Sequence, residues 1–544
     1  MLKLNPQRNL LSLFIIVLIL LVTSSSKPTE HIKSCLIENH VMNFTVFQYS
    51  DDQPSQYYNL LNFSIQNLRF TKPKYPKPLA IVLPETKEQL ASTILCCRQG
   101  PWTIRIRSGG HSYEGLSTVA SPRYPFVIVD LMNLNRVSVD LKSETAWVEG
   151  GATLGEVYHE IAMSSLFHGF SAGSCPTVGS GGHIAGGGFG LLSRKYGLAA
   201  DNVVDALLVD ANGTLLDKEA MGEDGFWAIR GGGGGVWGVV YAWKLRLVSV
   251  PPTVTCFVVS RPGSRDQVAN LVHKWQLVAP LLPDEFYLSS FVGADLPETK
   301  GKGISVTFKG FYLGTKTIAI SILKGVFPEL RIAKEDCNEM NWIESIVYFS
   351  DMGNGSSISN LKDRYFHNKN YFKAKSDYVR VPIPLRVIRV FLETLEKEPK
   401  GYVIMDPYGG KMSRISSDSI PFPHREGNLF TIQYLVAWEE EDNGKSQEFI
   451  NWIRGFYDFM SPYVAKGPRA AYYNYLDLDL GVMDSSMTGV MKSNDAVEMA
   501  KAWGEKYFLD NYDRLVRAKT FLDPTNVFNN QQGIPPRSST LPQR

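Results

Sequence analysis

The 544-residue sequence has few cysteines, almost no net charge and no long hydrophobic run after its first 22 residues. Its six cysteines are too few for a disulfide scaffold in a chain of this length. The 56 basic and 54 acidic residues give a net charge of +2, which excludes strong electrostatic attraction to nucleic acid or an anionic membrane. A bilayer-spanning helix needs about 20 consecutive apolar residues. We therefore expect neither a nucleic-acid partner nor stable membrane insertion.

Glycine and aromatic residues, by contrast, are abundant. The sequence has 46 glycines, many in short runs, with 28 Phe, 25 Tyr and 10 Trp. Glycine lets the backbone approach a ligand closely, and aromatic side chains line apolar pockets. Hydrophobic residues make up 44% and charged residues 20%, as in ordinary globular proteins. The composition favours a multidomain globular protein with room for a cofactor.

The first 26 residues have the pattern of a secretory signal peptide. Lys3 and Arg8 precede an apolar run at 10–22, and small polar residues follow at 23–26. This run is too short to span a bilayer, although a retained signal anchor is the alternative. Four Asn-x-Ser/Thr sequons agree with the secretory route, at Asn43, Asn62, Asn212 and Asn354. We expect a glycoprotein of the secretory pathway.

The cysteines predict one bridge near the mature N-terminus. We expect Cys35 to pair with Cys96, with the neighbouring Cys97 as the alternative partner. Cys256 lies in an apolar, strand-like run and is expected to be a buried thiol.

Short strands alternate with helices up to residue 250, and a second pattern follows Pro251 and Pro252. In the first region, strands are predicted at 78–83, 102–106, 126–131, 145–149, 203–208 and 239–248, and helices at 87–98 and 154–163. In the second, strands are predicted at 256–259, 287–292, 304–312 and 430–438, and helices at 265–278, 385–397, 447–460 and 496–516.

Two glycine motifs match known patterns only as strings. Residues 233–238 spell G-x-G-x-x-G, but a dinucleotide fingerprint must follow a strand and open a helix. Here a helix is expected before the motif and a strand after it, which is the reverse order. Residues 169–173 spell G-x-S-x-G around Ser171, but Pro176 and Gly179 prevent the helix that a nucleophile elbow requires. A nicotinamide-binding fold and a serine hydrolase are therefore disfavoured.

Two other loops place glycine beside residues that can form covalent bonds. The loop R-S-G-G-H-S at 107–112 follows a predicted strand and contains His111, and its consecutive backbone N–H groups can bind phosphate oxygens. The loop G-S-C-P-T-V-G-S-G-G-H at 173–183 contains Cys175. Composition alone leaves both side chains as ordinary loop residues.

Together with the rest of the chain, these loops resemble the plant berberine-bridge-enzyme-like flavoproteins, a family that includes cannabinoid-acid synthases and plant carbohydrate oxidases. The resemblance runs in order along nearly the whole mature chain. It includes V-E-G-G-A at 148–152, G-G-G-F-G at 186–190, D-G-F-W-A-I-R-G at 224–231, N-Y-L-D-L-D at 474–479 and D-P-T-N-V-F at 523–528.

The resemblance implies an α+β fold, in which a two-part FAD-binding domain of the vanillyl-alcohol-oxidase type joins a substrate domain with an antiparallel sheet covered by helices. The implied segments are a signal peptide (1–26), an N-terminal segment (27–74), the FAD-binding domain (75–250), the substrate domain (251–470), a C-terminal segment returning to the FAD-binding domain (471–535) and a mobile tail (536–544).

In this family FAD is attached through the histidine of R-S-G-G-H and the cysteine of C-P-T. Both are present here, so bicovalent FAD linked to His111 and Cys175 is implied. Such links can raise the reduction potential and fix the flavin ring. The other residues expected to bind FAD are Arg107, Ser108, Gly109, Gly110, Ser112, Val178, Gly181, Gly182, Gly186, Gly187, Val236, Tyr475 and Asn526.

The resemblance also implies the catalytic residues. Tyr475 corresponds to the usual base of the family, and a phenol needs a nearby cation or hydrogen-bond donors to act as a phenolate at ordinary pH. Lys411 and Arg414 are candidate cations, although solvated surface charges are the favoured interpretation of both. At Thr431 and Gln433 relatives often carry charged residues, including the glutamate base of berberine bridge enzyme at the position of Gln433. The expected catalytic set is Tyr408, Thr431, Gln433 and Tyr475.

The implied function is a secreted FAD oxidase that removes a hydride from a plant secondary metabolite, with O2 as acceptor and H2O2 as product. Val178 is a small branched residue where relatives admit oxygen. The missing charged base favours a prenylated phenolic substrate, oxidised by cyclisation or diene formation. Diels–Alder cycloaddition, carbohydrate or alcohol oxidation, and a catalytically silent flavoprotein are the alternatives. We expect a monomer in the apoplast or the vacuole.

Overall fold

The structure is a computed structural model that describes residues 28–47, 56–121, 124–353, 355–483 and 493–537. The predicted signal peptide, the sequon at Asn354 and the tail beyond residue 537 lie outside the described residues. The other three sequon asparagines are exposed, and their glycosylation stays a prediction. Among the described helices, none is long and apolar enough to cross a membrane.

Two larger sheets and a short ribbon form the first half of the chain. The first sheet contains β1 (Phe44–Val46), β2 (Ala80–Val82), β3 (Thr103–Arg107) and β4 (Phe126–Asp130), in the order β1-β2-β4-β3, with β2, β4 and β3 parallel. The second is antiparallel and contains β5 (Val137–Asp140), β6 (Thr145–Glu149), β8 (Val203–Val209), β9 (Leu215–Leu216) and β10 (Val239–Arg246). The ribbon pairs β7 (His168–Gly169) with β11 (Val248–Ser249).

The helices of this half pack around these sheets. They are α1 (Pro28–Glu38), α2 (Gln56–Phe63), α3 (Lys87–Arg98), α4 (Leu154–Ser164), α5 (Ser180–Ala185), α6 (Ser193–Tyr196) and α7 (Lys218–Ile229). A Cys35–Cys96 disulfide joins α1 to α3, as predicted, and leaves Cys97 as a buried free thiol. Cys256 is also a buried free thiol, as predicted.

A seven-stranded antiparallel sheet dominates the second half. Its strands are β12 (Val254–Pro262), β13 (Phe286–Gly293), β14 (Ser305–Tyr312), β15 (Cys337–Met340), β16 (Tyr371–Val379), β17 (Gly401–Pro407) and β18 (Phe430–Trp438), in the order β15-β12-β14-β13-β17-β18-β16. The helices of this half are α8 (Arg265–Val278), α9 (Lys316–Val326), α10 (Trp342–Tyr348), α11 (Leu385–Lys397), α12 (Lys411–Arg414) and α13 (Ser446–Met460).

The helices α8, α11 and α13 pack against this sheet because their apolar residues recur at helical spacing. In α11, for example, the buried side chains are Val387, Ile388, Phe391, Leu392 and Leu395. The sheet is therefore covered by helices, and strand side chains that face away from them are free to line a binding site.

The C-terminal segment packs back against the first half. Where the sequence predicts one helix over 496–516, the structure has α14 (Ser493–Phe508) and α15 (Tyr512–Leu522). The prediction of a continuous helix is wrong because Leu509 has a φ of 46°, which ends the first helix. Helix α15 packs on α7, and the buried Lys519 ammonium donates to the carbonyl of Val236 at 2.6 Å.

Neither disfavoured motif forms its alternative site. Ser171 is fully buried and donates its hydroxyl to the carbonyl of Gly197 at 2.6 Å, so it is not an exposed nucleophile. Residues 233–238 connect the end of α7 to β10, which is the reverse of a dinucleotide-binding turn.

Candidate active site and cofactor site

A cavity of about 670 Å³ lies between the glycine-rich loops of the first half and the large sheet of the second. This volume is in the range of typical ligand pockets, roughly 300–1,000 Å³. The loops after β3 and before α5 line one part. Alternate residues of β13, β17 and β18 line the other, including Tyr287, Ser289, Phe291, Tyr402, Ile404, Asp406, Gln433 and Leu435.

The two glycine loops touch backbone to backbone. A Cβ on Gly109 would lie 2.2 Å from the amide nitrogen of Gly179, and a Cβ on Gly179 would lie 2.2 Å from the amide nitrogen of Gly109. Gly110 has a φ of 74°, a conformation that favours glycine. Ser108 fixes the turn by donating its hydroxyl to the carbonyl of Gly150 at 2.6 Å. Residues with larger side chains would separate the two loops.

This contact brings His111 and Cys175 to one hydroxyl group. The Nε2 atom of His111 lies 2.9 Å from Thr177 Oγ1, and the Sγ atom of Cys175 lies 3.7 Å from the same oxygen. Both His111 and Cys175 line the cavity. Thr177 was not predicted as a site residue, although the C-P-T motif contains it.

The electrostatics leave both side chains neutral at ordinary pH. Burial, assisted by the charge of Lys369, lowers the pKa of His111 to about 4. Burial raises the pKa of the Cys175 thiol. A neutral imidazole has a ring nitrogen lone pair that can form a C–N bond, and a thiol must lose its proton when a C–S bond forms.

Three buried polar side-chain atoms on the cavity wall make no hydrogen bond with the described residues. Gln66 Oε1, Ser117 Oγ and Trp237 Nε1 are buried on this wall and have no hydrogen-bond partner among the described residues. Buried polar groups are normally paired, so these three are suited to an elongated polar ligand. A Cβ on Gly182 would meet nothing within 4 Å, which leaves open space beside the backbone. These features fit FAD.

Two stacked phenols separate the cofactor loop from the sheet. Tyr113 and Tyr475 have ring centroids 5.5 Å apart and planes that differ by 6°. Gln433 Nε2 donates to the Tyr113 hydroxyl at 2.7 Å. All three line the cavity. Two predicted catalytic residues, Tyr475 and Gln433, thus line the same cavity, and Tyr113 lines it beside them.

The structure does not support a resting phenolate at Tyr475. Burial raises the pKa of Tyr475 well above its ordinary value, and the neighbouring Tyr113 raises it further. Neither proposed cation assists, because Arg414 forms an exposed salt bridge with Asp284 and neither Arg414 nor Lys411 lines the cavity. These two candidate cations therefore do not tune Tyr475, and Arg414 is the solvated surface charge that the sequence favours.

Buried charges hold the segment that carries Tyr475. The ammonium group of Lys373 donates to Asp477 Oδ1 at 2.7 Å and also to Glu114. Burial alone would lower the pKa of Lys373, but the facing carboxylates Glu114, Asp477 and Asp479 raise it. This network ties β16 to the loops on both sides of the stacked tyrosines.

The predicted site residues divide into two groups. Those that line the cavity are Ser108, Gly109, Gly110, His111, Ser112, Cys175, Val178, Gly181, Gly182, Gln433 and Tyr475. Those that do not line it are Arg107, Gly186, Gly187, Val236, Tyr408, Thr431 and Asn526.

Three members of the second group have clear structural partners. The Arg107 guanidinium is fully buried and paired with Asp130, so its side chain does not reach a cofactor. Thr431 donates its hydroxyl to the carbonyl of Asp377 at 3.0 Å. The Tyr408 hydroxyl lies 3.2 Å from that of Tyr378. These groups support the wall and do not contact its contents.

Comparison with known proteins agrees with this site. Residues 78–218 match the family described as "FAD binding domain", and residues 471–535 match the family described as "Berberine and berberine like". Berberine bridge enzyme-like D-2 of Nicotiana tabacum is 59% identical and is aligned over 97% of this chain and 95% of its own. Reticuline oxidase of Eschscholzia californica is 52% identical over 93% of this chain and 92% of its own.

A solved structure of berberine bridge enzyme from Eschscholzia californica has a TM-score of 0.89 and 51% identity, over 93% of this chain and 99% of its own. A variant of berberine bridge enzyme has been solved in complex with (S)-reticuline. The fold and the cavity define a FAD-linked oxidoreductase with a FAD-binding fold of the vanillyl-alcohol-oxidase type. The chain belongs to the berberine bridge enzyme-like family.

Proposed function

We propose that this protein is a secreted oxidase that oxidises an aromatic plant secondary metabolite, with FAD attached to both His111 and Cys175 and O2 as the acceptor. The observation that carries the proposal is the convergence of these two side chains on the Thr177 hydroxyl at the wall of one cavity. Two loops distant in sequence are thereby aimed at the same ligand.

The bound FAD would accept a hydride from the substrate and pass the electrons to O2. The residues of this chain hold and orient the reactants. Gln66, Ser117 and Trp237 supply unpaired polar atoms for the cofactor, and His111 and Cys175 fix it covalently. Tyr475 and Tyr113 form a rigid aromatic wall that orients a planar substrate.

The substrate half of the cavity is mainly aromatic and aliphatic. Phe291, Tyr402, Ile404 and Leu435 line it, together with polar groups that include Ser289, Lys309, Asp406 and Gln433. Such a wall suits an aromatic compound such as a prenylated phenolic better than a carbohydrate, which needs many hydrogen-bond partners. Reticuline oxidase among the relatives favours oxidation over the alternative of cycloaddition.

Val178 lies in the turn after Cys175, and its side chain lines the cavity. Its amide donates to the carbonyl of Cys175 at 3.4 Å, so its position is fixed relative to the covalent link. A small branched side chain here supports oxygen access to the reduced cofactor.

Two experiments on separate samples test the proposal: acid precipitation of the protein, and anaerobic mixing of the native protein with a panel of substrates. We expect the precipitated protein to remain yellow, and the flavin absorbance to bleach with one class among phenolics, alcohols and sugars. Admission of air should restore the colour with release of H2O2. Flavin that extracts freely into the acid supernatant contradicts bicovalent attachment. Product formation from a diene and a dienophile without bleaching would support cycloaddition in its place.

A further inference from the structure

Asp406 is a buried carboxylate in the substrate half of the cavity that no sequence motif identifies. It lies at the end of β17, next to Pro407, and is 6% exposed. Its Oδ1 atom accepts a hydrogen bond from the Tyr287 hydroxyl at 2.5 Å. Its Oδ2 atom has no hydrogen-bond partner in the described part of the chain, and the residue lines the cavity.

The other buried aspartates of the described residues are compensated differently. Six aspartates are buried in all. Four of them are ion-paired: Asp130 with Arg107, Asp377 with Arg469, Asp477 with Lys373 and Lys375, and Asp523 with Lys519. Asp210 instead accepts two backbone N–H bonds at 2.8 Å in a turn. Asp406 has one phenol donor and no ion pair among the described residues, which is a costly arrangement for a carboxylate.

The groups around Asp406 are phenols and not cations. Tyr287 faces it from β13, Tyr408 lies just after the end of β17, and Tyr475 faces it from the C-terminal segment. Burial raises the pKa of Asp406 to about 6, although the Tyr287 hydrogen bond opposes this shift. The carboxyl is therefore mostly ionised at pH 7 and can still take up a proton.

Other charged groups near this wall are already engaged. Lys309 lies 3.6 Å from Glu298 and 3.9 Å from Asp351. The Arg194 guanidinium donates to the carbonyls of Tyr408 and Phe286, behind the wall. Asp351 also lines the cavity, but its side chain is 79% exposed to solvent.

We propose that Asp406 is the catalytic proton acceptor for the substrate, with Tyr287 as the group that orients its carboxylate. This inference rests on the proposed function. The substrate O–H or N–H bond breaks, its electron pair stays on the heteroatom, and the proton moves to Asp406. The same substrate loses a hydride from carbon to the bound flavin. The substrate thus loses one proton and one hydride, which is a two-electron oxidation, and the flavin would be the oxidant.

This assignment is consistent with the properties of Gln433 and Tyr475, the two predicted catalytic residues that line the cavity. The amide of Gln433 is not basic, and it is already bonded to Tyr113. The negative charge of Asp406 raises the pKa of Tyr475, so Tyr475 is a hydrogen-bond donor when Asp406 is ionised. The base lies on β17, two residues beyond Ile404, the cross-strand partner of Gln433.

The test is the pH dependence of anaerobic flavin reduction in the Asp406→Asn holoenzyme, followed by stopped flow with the substrate that bleaches the wild type. We expect the rate to fall by about 10²–10⁴-fold at neutral pH, the usual contribution of a general base. The wild-type rate should rise through pH about 6, and this step should vanish in the variant. Asp210→Asn, at a buried aspartate that does not line the cavity, should keep the wild-type rate and profile.

A second measurement does not depend on turnover. The folded pKa lies above the unfolded value of 3.8, so ionisation of Asp406 destabilises the fold. As pH rises from 3.8 to about 6, the Tm of the wild type should therefore fall relative to that of Asp406→Asn, and above this window the difference should stay constant. Tyr287→Phe removes the hydrogen bond that lowers this pKa, so it should move the midpoint of the kinetic step upward.

The outcomes separate the two proposals. A wild type that bleaches, with an Asp406→Asn variant of equal rate and unchanged profile, overturns the role of Asp406 and leaves the oxidase function standing. An unchanged midpoint in Tyr287→Phe also counts against the assignment. A yellow wild type that no compound of the panel reduces overturns the proposed function, and the role of Asp406 with it.

Discussion

The ring of Tyr113 lies flat against that of Tyr475, with the centroids 5.5 Å apart. Tyr113 is two residues from the candidate flavin ligand His111, and Tyr475 belongs to the C-terminal segment. The stack thus joins the cofactor loop to the segment that closes the site, and it places two uncharged phenols where a single catalytic phenolate was predicted.

Tyr475→Phe should preserve this stack and remove only the hydroxyl. Because Asp406 is the proposed base, we expect flavin reduction to slow by much less than the roughly 10²–10⁴-fold decrease that loss of a general base causes. Anaerobic stopped flow measures this effect. A loss as large as that of Asp406→Asn would return the role of base to the phenol.

Single and double substitutions should count the covalent links. His111→Ala and Cys175→Ala should each retain flavin after acid precipitation, because one link remains in each. The double variant should release all of it. Mass spectrometry of proteolytic peptides identifies the attached residue, and a flavin peptide that contains neither position would contradict the assignment.

Thr177→Val should impair covalent attachment, because the Thr177 hydroxyl contacts both His111 and Cys175. We expect a lower fraction of covalently bound flavin after expression. Thr177→Ser keeps the hydroxyl and serves as the matched control. Equal covalent fractions in the valine and serine variants would show that the hydroxyl has no part in attachment.

Val178→Leu should slow reoxidation in air and leave anaerobic reduction close to the wild-type rate. The longer side chain would fill space beside the Cys175 turn, where oxygen is proposed to enter. Stopped-flow mixing of the reduced protein with oxygenated buffer measures the effect. Val178→Ala, which adds no bulk beside this turn, is the control and should keep the wild-type rate of reoxidation.

Lys373→Met should destabilise the fold by about 3–5 kcal/mol, because it leaves buried carboxylates without their cation. Glu114 and Asp477 would lose this partner. Denaturant unfolding measures the change in the free energy of unfolding. Lys397→Met, at an exposed helical lysine, should change it little.

The sequence predicts the elements whose signals are local. Helix α8 has the predicted bounds because Ser264 caps it and its apolar residues recur at helical spacing. Strand β16 was not predicted, because it contains Lys373 and Lys375, which read as exposed charges. Their compensating carboxylates come from Glu114 and Asp477, which lie about 100 residues or more away.

The candidate site divides in the same way. Family motifs identify His111 and Cys175, but they also select Arg107, whose neighbour in space is Asp130 and not the cavity. No local sequence signal identifies Asp406, because its proposed role as a base depends on its burial and on the absence of a cation partner among the described residues. Both conditions are set by strands that the chain brings together only in three dimensions.

The contact between Gly109 and Gly179 brings together two loops that a doubly attached flavin would cross-link covalently. If the flavin is bonded to His111 and Cys175 as proposed, it would be a cross-link that closes a loop between residues 64 positions apart in the sequence. The Cys35–Cys96 bridge closes a ring of similar size, with a separation of 61 residues. In the entropic account, closing a loop of this length lowers the entropy of the unfolded chain and thereby stabilises the fold by about 4 kcal/mol. The flavin would thus remain a tether after denaturation and bias the chain towards refolding around it.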